Sequence, residues 1–516
     1  MLNLANLPTP TGTPDFLRNA AAAIARREGQ IPADLRLAPE LLSSLPLNVT
    51  EIPASCGLLS SRELEITSLD ATAVRDKIAS RELSAVDVVT AFGKRAVIAH
   101  QLVNCLVDIF LEEGIAQAKA LDEHLAKTGK VIGPLHGVPI SIKDHMPIKG
   151  RWGSAGFFST NKITEEDCEM VATLRSLGAV FFVKTNQPQA IMTLECSSAY
   201  GRTLNPFNRN CSPGGSSGGE GALLAMHGSC LGVGTTKGRD SIICSTGPMC
   251  TSARDIDLFL SALLSTKPYH RDPSLVPFDW TTEESFGNKA RPLRVGFMRH
   301  DGAVLPQPPM LRGLDTIRAK LDASSDFEVV DFDGNKTEEG VSIAHELYFE
   351  DNGKRVRKAL LDGGEDAQPL TEWAISPPLT KDHTMDESWT LRERRDRYRA
   401  EYAAVWHAAK IDVLVCAPFG GSANSHETSK YWGYTAISNL VDYPGVIFPT
   451  GLTADPALDL KSPRTTFMSD ADKYNHEIYD TELYKGGPIS LQLLAYRFDD
   501  CKLMGALKMI EAALRS

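Results

Sequence analysis

Two stretches of this chain hold residues whose types and spacing suit chemistry. Between Cys211 and Leu224 it reads CSPGGSSGGEGALL, which presses four glycines against the adjacent hydroxyls of Ser216 and Ser217. A serine hydroxyl becomes a nucleophile or a proton relay only with a base within hydrogen-bond reach. Flanking glycines let backbone N–H groups face a developing oxyanion. A flexible linker would use similar letters, but this run passes straight into EGALLAMHG, a buried-helix pattern that a linker has no reason to adopt. The second stretch, GPLHGVPISIKDHMPIKG, spans residues 133–150 and carries Lys143. Val138, Ile140 and Ile142 alternate with Pro139, Ser141 and Lys143, so a strand here sets the lysine on the face opposite the isoleucines and aims Asp144 away from it. Pro139 confines that strand to a sheet edge or marks its start.

An amine placed in this way acts as a base only when neutral. Bringing a lysine from about 10.4 to near 7 costs about 4–5 kcal/mol of burial and neighbour effects, which a fully buried position supplies and a surface position does not. The plain alternative is a strand-end lysine whose head reaches solvent. The joint presence of a candidate base and a glycine-flanked serine pair favours a site.

The elements that must hold these residues alternate along the chain. Helix-like SLDATAVRDKIASREL is followed by SAVDVVTAFGKRAVIAHQ, with Ser84 as N-cap and Asp87 at the capping-box position. Strand NCLVDIF comes next, then a helix stopped by Gly129, a helix near 165–177 closed by Gly178, and strand AVFFVKT. Later, helix 309–321 precedes FEVVDF, helix 386–408 precedes IDVLVCAP, and GPISLQLLAYRFDD leads into a closing helix. Strands separated by helices of this length predict an α/β fold with a largely buried sheet. Residues 1–65, rich in Pro, Leu and Ala, read as a covering arm on a domain of residues 66–516.

Composition narrows the function classes. The 516 residues are 42% apolar and 23% charged, with 54 basic and 65 acidic side chains and a formal charge of -11. That balance argues against a nucleic-acid partner, which calls for a basic stripe, and against adhesion to an anionic membrane. The ten cysteines form no Cys-x-x-Cys pair, several sit in apolar runs, and no secretory start or membrane-length apolar run is present, so the cytoplasm is the expected location. The twelve histidines include no His-x-x-x-His pair with a carboxylate, and no Gly-Lys-Ser/Thr follows the glycines, so neither a metal centre nor a phosphate loop is supported.

Together, GPLHGVPISIKD, VKTNQPQ, GRTLNPFNRNCSPGGSSGGEGALLA and TGPMCTSARDIDLFLSALL resemble the amidase signature family, across residues 65–515. The chain is similar to its acetamidase and general-amidase branch. Members hydrolyse carboxamides through a Ser–Ser–Lys triad. The resemblance implies a single large α/β domain around a mixed central sheet flanked by helices, a small-molecule amide substrate, no cofactor and room for a homodimer. It makes Lys143 the terminal base, Ser216 the bridging serine after a cis peptide at Gly215–Ser216, and Ser217 a supporting, substrate-side hydroxyl.

The pattern breaks where the family carries its nucleophile, in a stretch close to Gly-Thr-Asp-x-Gly-Gly-Ser-Ile-Arg. Here the chain reads GVGTTKGRDSIICSTGPM. An ungapped count selects Asp240; one extra residue selects Ser241, followed by Ile242. DSIICSTGPM is closer to the segment that precedes Gly-Pro-Met in these enzymes, several tens of residues further on, so the economical expectation is a block absent between Thr236 and Gly238. Two other functions stay open: an inactive amidase-fold binding or scaffold protein, and an α/β-hydrolase-type esterase using Ser216 in the Gly-x-Ser-x-Gly elbow, which requires a strand directly before the serine.

Overall fold

The computed structural model describes residues 10–235, 241–243, 245–281, 291–334 and 336–515. The expected alternation is present, in two compact units. The first comprises residues 1–237, 245–280 and 356–371; the second comprises 238–244, 281–355 and 372–516.

In the first unit, α1 (Pro14–Gly29) is capped by Thr13, whose Oγ1 accepts the Phe16 amide at 3.3 Å. The residues after α1, among them Ile31, Leu35, Leu37, Leu42, Val49 and Ile52, are buried in the same core as the residues of α2 (Ala85–Val103). Ser84 opens α2 by accepting the Asp87 amide at 3.0 Å, and Phe92, Ala96 and Ala99 are buried along it. α3 (Leu111–Thr128) stops at Gly129, whose φ is +71°, and α4 (Glu169–Ser176) precedes Gly178 at φ +93°. The sheet runs β1-β3-β2-β4-β5, from β1 (Leu106–Ile109), β2 (Pro139–Lys143), β3 (Val180–Thr185), β4 (Leu231–Thr235) and β5 (Thr246–Cys250). β2 is parallel to both β3 and β4, while β1 and β5 are antiparallel to their neighbours. Every residue of β2 is buried, as expected of a strand covered on both faces. Pro139 opens this central strand, the one interior position that tolerates its missing N–H. α5 (Gly218–Ala225) and α6 (Ala253–Ser265) complete the elements around the site.

The second unit holds β6 (Leu293–Met298), β7 (Phe327–Asp331), β8 (Val413–Cys416), β9 (Gly445–Thr453) and β10 (Pro488–Ala495) in the order β7-β6-β8-β10-β9. β6 is parallel to β7 and β8, whereas β10 is antiparallel to β8 and β9. Helices α7 (Pro308–Asp322), α8 (Met385–Ala409) and α9 (Asp500–Arg515) correspond to the three that the periodicity predicts. The fold is thus α/β with mixed sheets flanked by helices. None of the described cysteines forms a disulfide, and no described helix is long and apolar enough to cross a membrane.

Candidate active site

Lys143 ends β2 at the carboxyl edge of the parallel strands, where open α/β sheets present ligand-binding groups. Its side chain is fully buried, and Nζ donates to Ser216 Oγ at 2.6 Å. Ser216 is 6% exposed, so the pair sits in a largely dry setting at the margin of the interior. The Gly215–Ser216 peptide is cis.

The glycine run works by close approach rather than by slackness. A Cβ at Gly215 would meet the Glu195 amide nitrogen at 2.6 Å and the Leu194 carbonyl carbon at 2.8 Å. One at Gly219 would meet Asn186 N at 2.5 Å and Cys105 O at 2.8 Å. α5 therefore lies directly on the backbone at the end of β3, which brings Ser216 to the end of the neighbouring β2. The loop before it is fixed from outside: Asn205 Nδ2 donates to Ser212 O at 3.1 Å, and Ser212 Oγ accepts the Gly214 amide at 3.0 Å. Ser217 occupies the N-cap position of α5 without capping it, and its Oγ lies beside Gly234 of β4.

Asp144 turns away from Lys143, as alternation requires. Its carboxylate accepts from Ser154 Oγ at 2.6 Å and lies 3.6 Å from Lys184 Nζ, which also donates to the Trp152 carbonyl at 2.8 Å. Burial raises Asp144 above the usual carboxylate range and lowers Lys184, each change opposed by the other's charge. On the lysine's own side of the sheet lies a group the sequence reading missed. Glu220 of α5 is fully buried, accepts from Ser141 Oγ, and accepts from Thr185 Oγ1 at 2.7 Å. Burial pushes Glu220 up to about 7, while those hydroxyls and Lys143 pull it back. The signal was there to use: one carboxylate inside an otherwise apolar helix, a turn beyond Ser216.

Ser241 is 2% exposed and belongs to the second unit, where its carbonyl accepts from Arg395 Nη1 at 2.9 Å. Asp240, Thr236 and Gly238 lie outside the described residues. No strand leads into Ser216, since residues 203–210 form turns and irregular chain, so the elbow geometry of an α/β-hydrolase is not met. Among the described residues no three His, Cys, Asp or Glu side chains are grouped to hold a metal ion.

The amidase family profile matches residues 87–244 and 236–504 of this chain. A Schizosaccharomyces pombe protein described as an amidase is 40% identical over 539 aligned positions, covering 97% of this chain and all of that protein. An acetamidase of Emericella nidulans is 34% identical over 498 positions, covering 88% of this chain and 90% of that one. A solved structure of fatty acid amide hydrolase is similar with a TM-score of 0.91 at 29% identity, over 99% of this chain and 98% of that one.

Proposed function

This chain belongs to the amidase signature family, hydrolases of carboxamide C–N bonds, and from that premise we propose that it acts through Lys143 and Ser216. The observation that carries the proposal is the 2.6 Å contact between the buried Lys143 amine and Ser216 Oγ. A neutral amine there has a lone pair for the Ser216 proton, while Ser216 Oγ takes the proton of an attacking serine. That serine forms a C–O bond to the substrate carbonyl, the C–N bond breaks as the proton returns to the leaving nitrogen, and water then hydrolyses the acyl-enzyme. Ser217, beside Ser216, is the supporting hydroxyl on the substrate side. The substrate is a small-molecule amide, and the cysteine usage favours the cytoplasm.

We assign the attacking serine to the block absent after Thr236 rather than to Ser241 or Asp240. Several observations support this. The family match falls into two pieces that meet over residues 236–244. The alignment with the Schizosaccharomyces pombe relative is 539 positions long against a chain of 516, so at least 23 of its positions have no counterpart here. Thr235 pairs with Thr246 in the antiparallel β4–β5 ladder, so the two ends of the shortened segment already stand side by side and the sheet closes without the block. Ser241, buried and tied through its carbonyl to Arg395, is poorly placed to attack.

The chain as written then binds amides and turns them over poorly, because triad members act as a unit. The test is ammonia release from acetamide and from an aryl amide. It compares this chain with a form carrying the relative's block between Thr236 and Gly238. Turnover only in the restored form is expected. Equal turnover by the chain as written would remove the missing-block assignment, and no turnover by a folded restored form would favour a binding role.

A further inference from the structure

Glu220 lies one helical turn beyond Ser216, and its surroundings are built from the neighbours of Lys143. Ser141, which donates to Glu220 Oε1, stands two residues before Lys143 on the same face of β2. Thr185, which donates to Oε2 at 2.7 Å, is the residue paired with Lys143 in the β2–β3 ladder. Gly232 faces Ser141 from β4, and a Cβ there would run into the Glu220 carboxylate. Three strands and one helix thus converge on a carboxylate held on the lysine's side of the sheet, within electrostatic reach of it. An ionised carboxylate is retained in an interior only when it is paired and hydrogen-bonded.

We propose that Glu220 is a positioning residue for Lys143, and that its ionised carboxylate is the counter-charge that stabilises the ammonium formed when Lys143 takes up the Ser216 proton. The proposal rests on Lys143 acting as the base. In the transfer, the Ser216 O–H bond breaks as a new N–H bond forms on Lys143, and Ser216 Oγ is reprotonated from the attacking hydroxyl. Glu220 takes no proton in this step; it acts in its ionised form, with Ser141 and Thr185 donating to its two oxygens. Attraction between two groups is reciprocal, so the pull of Lys143 on Glu220 equals the hold of Glu220 on the lysine's proton. Among the described residues, Cys105 lies beside Glu220 and Cys196 beside Lys143. Burial raises both thiols, Cys196 to about 12, so they stay neutral near pH 7 and add no charge beside the carboxylate and the amine.

The test is an NMR titration of the full chain as it exists, carrying lysine labelled with carbon-13 at Cε. Lys143 is assigned by its loss in Lys143→Ala. Glu220→Gln is expected to weaken proton binding by Lys143 about tenfold, a midpoint lowered by about one pH unit. Thr185→Val removes a hydroxyl and keeps the charge, so it should move the midpoint by less than about a third of that. Should Glu220→Gln not fold, Glu220→Asp, which retracts the charge by one methylene, should lower the midpoint about threefold in affinity. A Lys143 midpoint unmoved in the folded Glu220 variant, or a Thr185→Val shift as large as that of Glu220→Gln, overturns the proposal. The readout needs no turnover, so a hydrolysis assay in which Lys143 proves dispensable is a separate result that removes the base and not this contact.

Discussion

Gly219→Ala measures how closely α5 must lie on the sheet for Ser216 to reach Lys143. The Gly219 amide donates to Asn186 O at 3.2 Å, and an added Cβ would stand 2.5 Å from Asn186 N and 2.8 Å from Cys105 O, where ordinary contact begins at 3.4 Å. Asn186 O would lie closer still, so helix and strand end must part by roughly 0.6–1 Å, and overpacking of this kind costs about 1–3 kcal/mol. Asn186 cannot yield readily: its Nδ2 is committed to Gly201 O at 3.0 Å and Thr203 Oγ1 at 3.1 Å. Weakening the Gly219–Asn186 bond adds about 0.5–1.5 kcal/mol, and the gain of alanine over glycine returns about 0.5–1 kcal/mol. The expected net loss is about 1–3 kcal/mol. It is read as a lowered urea midpoint at unchanged slope, against Gly247→Ala, where an added Cβ meets nothing within 4 Å. Gly247→Ala should match or exceed the wild type. A Gly219→Ala chain as stable as Gly247→Ala would show that α5 does not rest on the Asn186 backbone and would remove the account of the glycine run.

Other expectations concern charge. His345 is buried against Trp432, with ring centroids 4.3 Å apart, and His100 accepts the Leu106 amide through Nδ1 at 3.1 Å. Burial holds both down to about 4. Between that value and about 6.5 the unfolded chain binds more protons than the folded one. The stability is therefore complete above about pH 6.5 and lost toward pH 4, by about 3 kcal/mol for each histidine. Urea midpoints at pH 7.5 and pH 5 should show the drop, and His345→Phe should reduce it; an unchanged drop would contradict the assignment. Lys184→Met leaves the buried Asp144 carboxylate without its partner 3.6 Å away and should cost about 3–5 kcal/mol in thermal or urea unfolding. Lys184→Met with Asp144→Asn should recover most of that, and a double variant as unstable as the single one would deny the pairing.

Much of the arrangement was legible because it is local. Caps at Ser84 and Gly129 and the two-residue period of β2 depend on neighbours in sequence, and each element lies where the pattern puts it. The Lys143–Ser216 pairing was legible only through the resemblance, since 73 residues separate the two. The central position of β2 was not fixed, because Pro139 permits an edge or a start and only the partners on both sides decide between them. The division into two compact units was equally silent, since no linker composition marks it. Glu220 could be read as a lone carboxylate in an apolar helix, but its partners, Ser141 and Thr185, come from two different strands and are anonymous polar residues in the sequence.

Every step of the proposed reaction depends on the amine of Lys143 serving as the base. The most direct measurement is the rate of amide hydrolysis near neutral pH by the block-restored form, with and without Lys143→Ala, and with folding of each checked by its urea midpoint. The expected result is a loss of at least about a thousandfold in the lysine variant, the scale on which triad members fail singly. Hydrolysis persisting within about tenfold, in a variant as well folded as its parent, would contradict it.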